Sequence, residues 1–202
     1  MQTTAPQPKG WYSRNYLPHC DTPGLIQAIT FRLADALPKA VMERLEQEAE
    51  NDEDKRRRIE AYLDTGHGCC WLSRSNLARI VENALLHFDG ENYRLIAWCI
   101  MPNHVHTLIE TKGEVASLVG GTPALPESQR LASIVHSWKS FSAHEINRVL
   151  GRQGIVWQRE YYDRYIRDDR HLAATIKYIH ENPVKAGLAA GAELWPFSSA
   201  RF

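Results

Sequence analysis

The chain has no excess of charge of either sign. Its 202 residues carry 24 lysines and arginines against 24 aspartates and glutamates. This balance weighs against a polybasic coat for gripping duplex DNA non-specifically, so a nucleic-acid surface would have to come from local clustering or from contact with few phosphates. Cysteine is scarce as well. Cys20, Cys69, Cys70 and Cys99 show no CxxC spacing, and the adjacent pair is poorly placed to chelate one ion with the other two. Reduced thiols in a cytoplasmic protein are the expectation. Long apolar runs are missing: no window approaches an uncharged membrane span, and the N-terminal stretch lacks an apolar core of signal-peptide length. What is present is 44% hydrophobic residues, enough for a substantial core, and one domain with insertions fits the length better than two complete ones.

Residues 1–23, rich in proline and threonine with aromatic islands at Trp11, Tyr12 and Tyr16, read as an extended N-terminal arm on a single domain over 24–202. Alternation through Ile29, Phe31 and Leu33 predicts a first strand over Leu25–Leu33. Pro38 suits a helix start, and the charged stretch from there to about Leu63 predicts a helix or helical pair on the surface, its charge mostly a solvated face. The turn at Gly66–Leu72 closes this insertion, which spans about 38–72. Ser73 is placed to cap a helix bearing Leu77, Ile80, Val81, Ala84 and Leu85. Asp89-Gly90 predicts a turn, followed by a strand ending near Cys99, a short Met-Pro-Asn connection and a second strand, together an antiparallel hairpin. A loop over Lys112–Pro126 precedes a helix from about Ser128 to Leu150, broken by Gly151 and Gly154. Ile155–Arg167 reads as an extended aromatic and basic segment. The last helix spans roughly Asp169 to Glu181, ending there because Pro183 disfavours helical geometry at Asn182.

The second strand of the hairpin holds His104 and His106. Spaced by two, both rings share one face, where neutral imidazoles suit one metal ion, with Val105 and Leu108 expected to point into a core. Chance alone gives about 0.4 such pairs in a chain with this much histidine, so the spacing by itself is no motif, and two solvent-side histidines read equally well. On the last helix Tyr178 and Asn182 are four apart and share a face. There a carboxamide oxygen could join two imidazoles around a divalent ion, and a phenol could act as a covalent nucleophile on a phosphodiester, leaving a DNA 5′-phosphotyrosine and a free 3′-hydroxyl. By themselves the same residues read as an amphipathic anchor and a helix cap.

MPNHVH, followed some seventy residues later by WQREYYDRYIRD and YIHENPVKAGL, resembles the REP-associated tyrosine transposases of the single-tyrosine HUH superfamily, as does ITFRLADALP near the start. That resemblance implies an α+β fold, a ferredoxin-like antiparallel sheet with helices packed on it, and places the imidazole pair on its central strand. It carries the metal ligands onto His104, His106 and Asn182 and the nucleophile onto Tyr178. It also implies a transposase-like single-stranded DNA endonuclease and strand transferase acting near hairpins, with a leaning toward monomers. Two imidazoles and a carboxamide with open positions fit Mg²⁺ or Mn²⁺, whereas structural zinc would want a fourth protein ligand. The alternative is a catalytically silent protein that binds DNA hairpins.

Arg159, Tyr162, Arg164 and Arg167 are candidate DNA contacts, although interspersed acids allow a salt-bridged surface equally. Tyr161 and Tyr165 are assigned core or binding roles and Trp157 packing. His180 points about 200° away from Tyr178 on a helix and is not expected to act as its base.

Overall fold

The computed structural model describes residues 10–13, 18–22, 24–112 and 130–202. Part of the expected N-terminal arm, most of the Lys112–Pro126 loop and the predicted helix start at Ser128 lie outside the described residues. Strands β1 (Gly10–Ser13) and β2 (Pro18–Asp21) pair antiparallel as a small separate ribbon. The main sheet combines β3 (Ile26–Arg32), β4 (Tyr93–Ile100), β5 (His104–Thr111) and β6 (Tyr162–Tyr165) in the spatial order β4-β5-β3-β6, with every pair antiparallel. Between β3 and β4 run α1 (Lys39–Glu48), α2 (Asp52–Asp64) and α3 (Ser75–Leu86). Helix α4 (Leu131–Val149) joins β5 to β6, and α5 (Asp169–Lys185) follows. A β-α-β-β-α-β path with this strand order is the ferredoxin-like α+β arrangement the sequence motifs imply.

Both faces of the sheet are covered. Ile29, Phe31 and Leu33 alternate onto one face and share a cluster with Val105, Ile109, the α3 stripe Leu77, Val81 and Leu85, and Ile134 and Trp138 of α4. Burying each such side chain is worth about 1.5–3 kcal/mol, so this face dominates stability. Trp138 donates Nε1–H to the Tyr93 hydroxyl at 2.8 Å, and Tyr93 donates in turn to the Leu85 carbonyl at 2.6 Å, tying α4, β4 and α3 together. Trp157 and Tyr161 are buried in the same cluster, in keeping with packing roles.

The opposite face carries Ala97, Cys99, Met101 and Leu108 under Ile179 and Ile176 of α5. A register shift between Leu95 and Ala97 re-phases β4, so that Tyr93 and Leu95 before it and Trp98 and Ile100 after it all reach the first cluster. Leu108 therefore lies on the histidine face, opposite to the expectation above. Residues 104, 106 and 108 share parity, and α5 rather than solvent covers all three.

Three boundaries differ from the sequence reading. Ser73 does not cap α3: it lies in the 3-10 turn Trp71–Ser73 and donates to the Cys70 carbonyl, while Arg74 occupies the cap position. The charged insertion does form two helices, but its second does more than present a solvated face, as the site geometry below makes clear. Helix α5 continues through Asn182 and Pro183 to Lys185. Gly187 stops it at φ +70°, with Leu188 N–H bonded to the Pro183 carbonyl and Gly187 N–H to that of Val184, a Schellman closure. Asn182 is thus a helical residue of the last turn, not a cap.

Candidate active site

Strand β5 sets His104 and His106 side by side, buried at 1% and 3% exposure. Their Nε2 atoms are 3.0 Å apart and the rings stand almost perpendicular, at 86°. Hydrogen bonds from the other ring nitrogens fix what these atoms can do. Asn103 spends its amide hydrogens on the carbonyls of Leu63 and His67, at 3.1 and 3.0 Å, so its oxygen faces His104 Nδ1 at 2.7 Å. An amide oxygen only accepts. His104 Nδ1 therefore carries the hydrogen, and Nε2 presents a bare lone pair to the site. His106 Nδ1 lies 2.9 Å from the Thr30 hydroxyl on the neighbouring strand, a partner able to donate or accept and so to serve either tautomer.

Both imidazoles are held neutral. Burial lowers His106 to about 4, and burial, His106 and the Arg32 guanidinium together drive His104 well below its ordinary 6.5. Neutral rings are the form that ligates metal.

Helix α5 lays Tyr178 and Asn182 on this pair. It starts at Asp168, whose side chain accepts the His171 N–H at 2.7 Å, a cap worth about 1 kcal/mol. The Tyr178 ring meets His106 edge-on, centroids 5.5 Å apart, and Lys185 lies over the phenol ring at 5.0 Å. Asn182 is fully buried with Nδ2 3.3 Å from His106 Nε2, and its Oδ1 has no hydrogen-bond partner. A half-turn of the carboxamide exchanges the two atoms and offers the oxygen to the imidazoles. Two ligands at about 2.1 Å and a right angle around one ion stand roughly 3.0 Å apart, which the imidazole nitrogens already satisfy. Two adjacent imidazole nitrogens, the one on His104 with its lone pair fixed, and an orphaned amide oxygen fit a divalent cation. Among the described residues, no three His, Cys, Asp or Glu side chains already stand together as such a group, and the amide of Asn182 is in contact with the pair.

Sequence reasoning missed the contribution of α2. Arg56, Glu60 and Asp64 repeat every four residues and form one polar stripe on that helix. Glu60 faces the Tyr178 hydroxyl without a hydrogen bond of normal geometry. Burial pushes the phenol well above its usual range, and Glu60 and Asp64 push it further. Burial likewise raises Asp64 to about 6, with Glu60 adding to it, and raises Glu60 itself. The spacing of four beside the apolar pair Ile59 and Leu63 was the available signal for an inward-facing polar stripe.

A cavity of about 250 Å³ opens beside Tyr178 and His106, and Arg56, Glu60, Tyr162, Arg164 and His171 contribute to its wall. Tyr162 and Arg164 thus reach the site, and Arg56 Nη1 donates to the Tyr162 hydroxyl at 3.3 Å. Arg159 and Arg167 do not line the cavity; both are exposed elsewhere on the surface. His180 bonds Ser199 at 2.8 Å, away from the phenol. Among the described residues no helix is long and apolar enough to cross a membrane.

No family model matches the chain. Over 110 residues it is 32% identical to a Haemophilus influenzae protein named "Putative REP-associated tyrosine transposase", covering 53% of this chain and 58% of that protein. A second, uncharacterized H. influenzae protein is 33% identical over 111 residues, covering 51% of this chain and 60% of its own length. Each match therefore spans less than two thirds of the relative. The solved structure of a REP-associated tyrosine transposase bound to a REP hairpin shares the fold, with a TM-score of 0.55 at 16% identity over 94% of this chain and 82% of that one. The resemblance carried by MPNHVH and YIHENPVKAGL is borne out by a sequence relative of that name and by the fold.

Proposed function

We propose that this chain is a metal-dependent single-stranded DNA endonuclease and strand transferase that cuts beside small hairpins through a 5′-phosphotyrosine on Tyr178. One observation carries the reading. A single helix turn brings a phenol and a carboxamide onto a buried pair of neutral imidazoles, beside a cavity with two arginines in its wall.

In the cutting step the Tyr178 oxygen forms a bond to phosphorus as its proton leaves, and the bond from phosphorus to the 3′ oxygen breaks, that oxygen taking up a proton. One phosphodiester replaces another, so no external energy source is needed and the reverse step rejoins a strand. His104, His106 and Asn182 would hold Mg²⁺ or Mn²⁺, which when bound polarises the phosphodiester and offsets charge developing at phosphorus. Arg56 and Arg164 suit the flanking phosphate oxygens. Helix α5 serves the imidazoles of its own chain, the arrangement a monomer requires.

A second reading, a hairpin-binding or regulatory protein without cleavage, draws on the burial of Tyr178 and the carboxylates that hold its phenol neutral. Labelled single-stranded hairpins incubated with the protein and Mn²⁺ or Mg²⁺, resolved on a denaturing gel, separate the two. Cleavage predicts a covalent adduct that disappears with Tyr178→Phe, with His104→Ala or with chelator. Binding without an adduct under either metal selects the second reading, and no binding at all rejects both.

A further inference from the structure

Asp64 closes α2, outside the strands and helix that supply the imidazoles and the carboxamide. Its Oδ1 stands 3.7 Å from His104 Nε2, is buried, and accepts no hydrogen bond. Among the described residues no lysine or arginine lies within ion-pair distance of it. The side chain as a whole is 24% exposed, but this one oxygen is sealed from water, and a carboxylate oxygen so placed is costly unless something supplies positive charge or a donor. Asn182 repeats the pattern from the other side of the sequence: fully buried, in contact with His106, with an oxygen that bonds to nothing. One orphaned oxygen, from α2, thus stands near His104, and a second, from α5, comes to His106 on a half-turn of the Asn182 carboxamide.

The chemistry of the ion argues the same way. Mg²⁺ and Mn²⁺ are hard cations that favour oxygen and negative charge, yet two imidazoles and an amide are neutral and offer one oxygen. Donors bound at about 2.1 Å stand roughly 3–4 Å from one another, depending on the angle between them. The 3.0 Å between the imidazole nitrogens and the 3.7 Å from His104 to Asp64 both fall in that range.

We infer that Asp64, which without the ion stands near His104 but in no preformed three-residue group, closes on the divalent ion as a direct ligand, so that α2 supplies the anionic member of a set completed by His104, His106 and Asn182. The inference rests on the proposed function only in that the imidazole pair binds a divalent ion.

The test is a Mn²⁺ titration of the full chain without DNA, followed by the electron paramagnetic resonance of free Mn²⁺, with circular dichroism confirming that each variant is folded. Wild type should bind, and His104→Ala should not. Asp64→Asn should bind at least tenfold more weakly. Asp64→Cys, which also serves if the asparagine variant does not fold, should lose Mn²⁺ and raise the ratio of Cd²⁺ to Mn²⁺ affinity at least tenfold, since thiolate prefers the softer ion. Wild type that binds no Mn²⁺ overturns the metal reading itself. Binding that depends on His104 but is unchanged in both Asp64 variants leaves that reading standing and overturns this one. Weakened Mn²⁺ binding without a Cd²⁺ gain in the cysteine variant reduces Asp64 to a distant charge and also overturns it.

Discussion

The buried imidazoles make stability depend on pH in a direction that can be worked out group by group. Below its ordinary 6.5 a histidine of the unfolded chain takes up a proton that His106, held at about 4, refuses. Stability therefore falls with pH, and between pH 7 and 5 His106 alone withdraws about 2 kcal/mol. His104 acts in the same sense. Asp64 runs against them: raised to about 6 from an ordinary 3.8, it takes up its proton in the folded state first and returns about 1 kcal/mol over the same interval, with Glu60 in the same direction. With metal chelated, urea midpoints should fall from pH 7 to 5 in wild type, and fall further, by about 1 kcal/mol, in Asp64→Asn. Equal slopes in the two proteins would show that the Asp64 carboxyl is not perturbed by folding. Asn103 is the other decisive residue, because it fixes the His104 tautomer while holding the end of α2 through the Leu63 and His67 carbonyls. Removing a group that orients a metal-bound histidine typically costs 10–100-fold in affinity, so Asn103→Ala should weaken Mn²⁺ binding by that order in calorimetry, with the fold checked separately.

Among the elements, those whose burial pattern follows a simple period were legible. The stripe from Leu77 to Leu85 and the alternation from Ile29 to Leu33 predicted α3 and β3, because one covered face imposes the period on the sequence. Helix α2 was misjudged for a related reason. Its composition reads as solvated charge, and nothing local says that Glu60 and Asp64 face a phenol and an imidazole, since those partners lie forty or more residues away. The end of α5 was misplaced because the local penalty at Pro183 was given more weight than the closure four residues later. Gly187 supplies that closure at φ +70°, in open space where an added Cβ would meet nothing within 4 Å. Gly187→Ala should thus cost backbone strain alone, about 1 kcal/mol by urea denaturation. A loss near zero would mean that the closure does not depend on a left-handed glycine.

At the scale of the whole molecule, the sheet separates stability from chemistry. The large cluster under α3 and α4 contains Trp138 and Trp157, whereas the histidines sit on the opposite face under Tyr178 and Asn182 of α5. The sequence motifs named both faces correctly as strands and helices but could not say that the histidine face was buried, because two polar rings on an alternating strand look like a wet surface until a helix is known to cover them. This division makes a prediction. Trp138 is buried, stacks on Phe31 with centroids 6.2 Å apart, and donates to Tyr93 at 2.8 Å. Trp138→Phe leaves a void and deprives the buried Tyr93 hydroxyl of a donor, though that hydroxyl keeps its own bond to Leu85. The cost should be about 1–3 kcal/mol in the urea midpoint. Because β5 lies between the two faces and its backbone is pinned on both edges by β3 and β4, the imidazole geometry should survive that loss. Mn²⁺ affinity at a temperature where the variant is fully folded should then stay within about twofold of wild type. A larger fall would mean that packing on the helical face tunes the imidazole pair through the sheet, and that the two faces are coupled rather than separate.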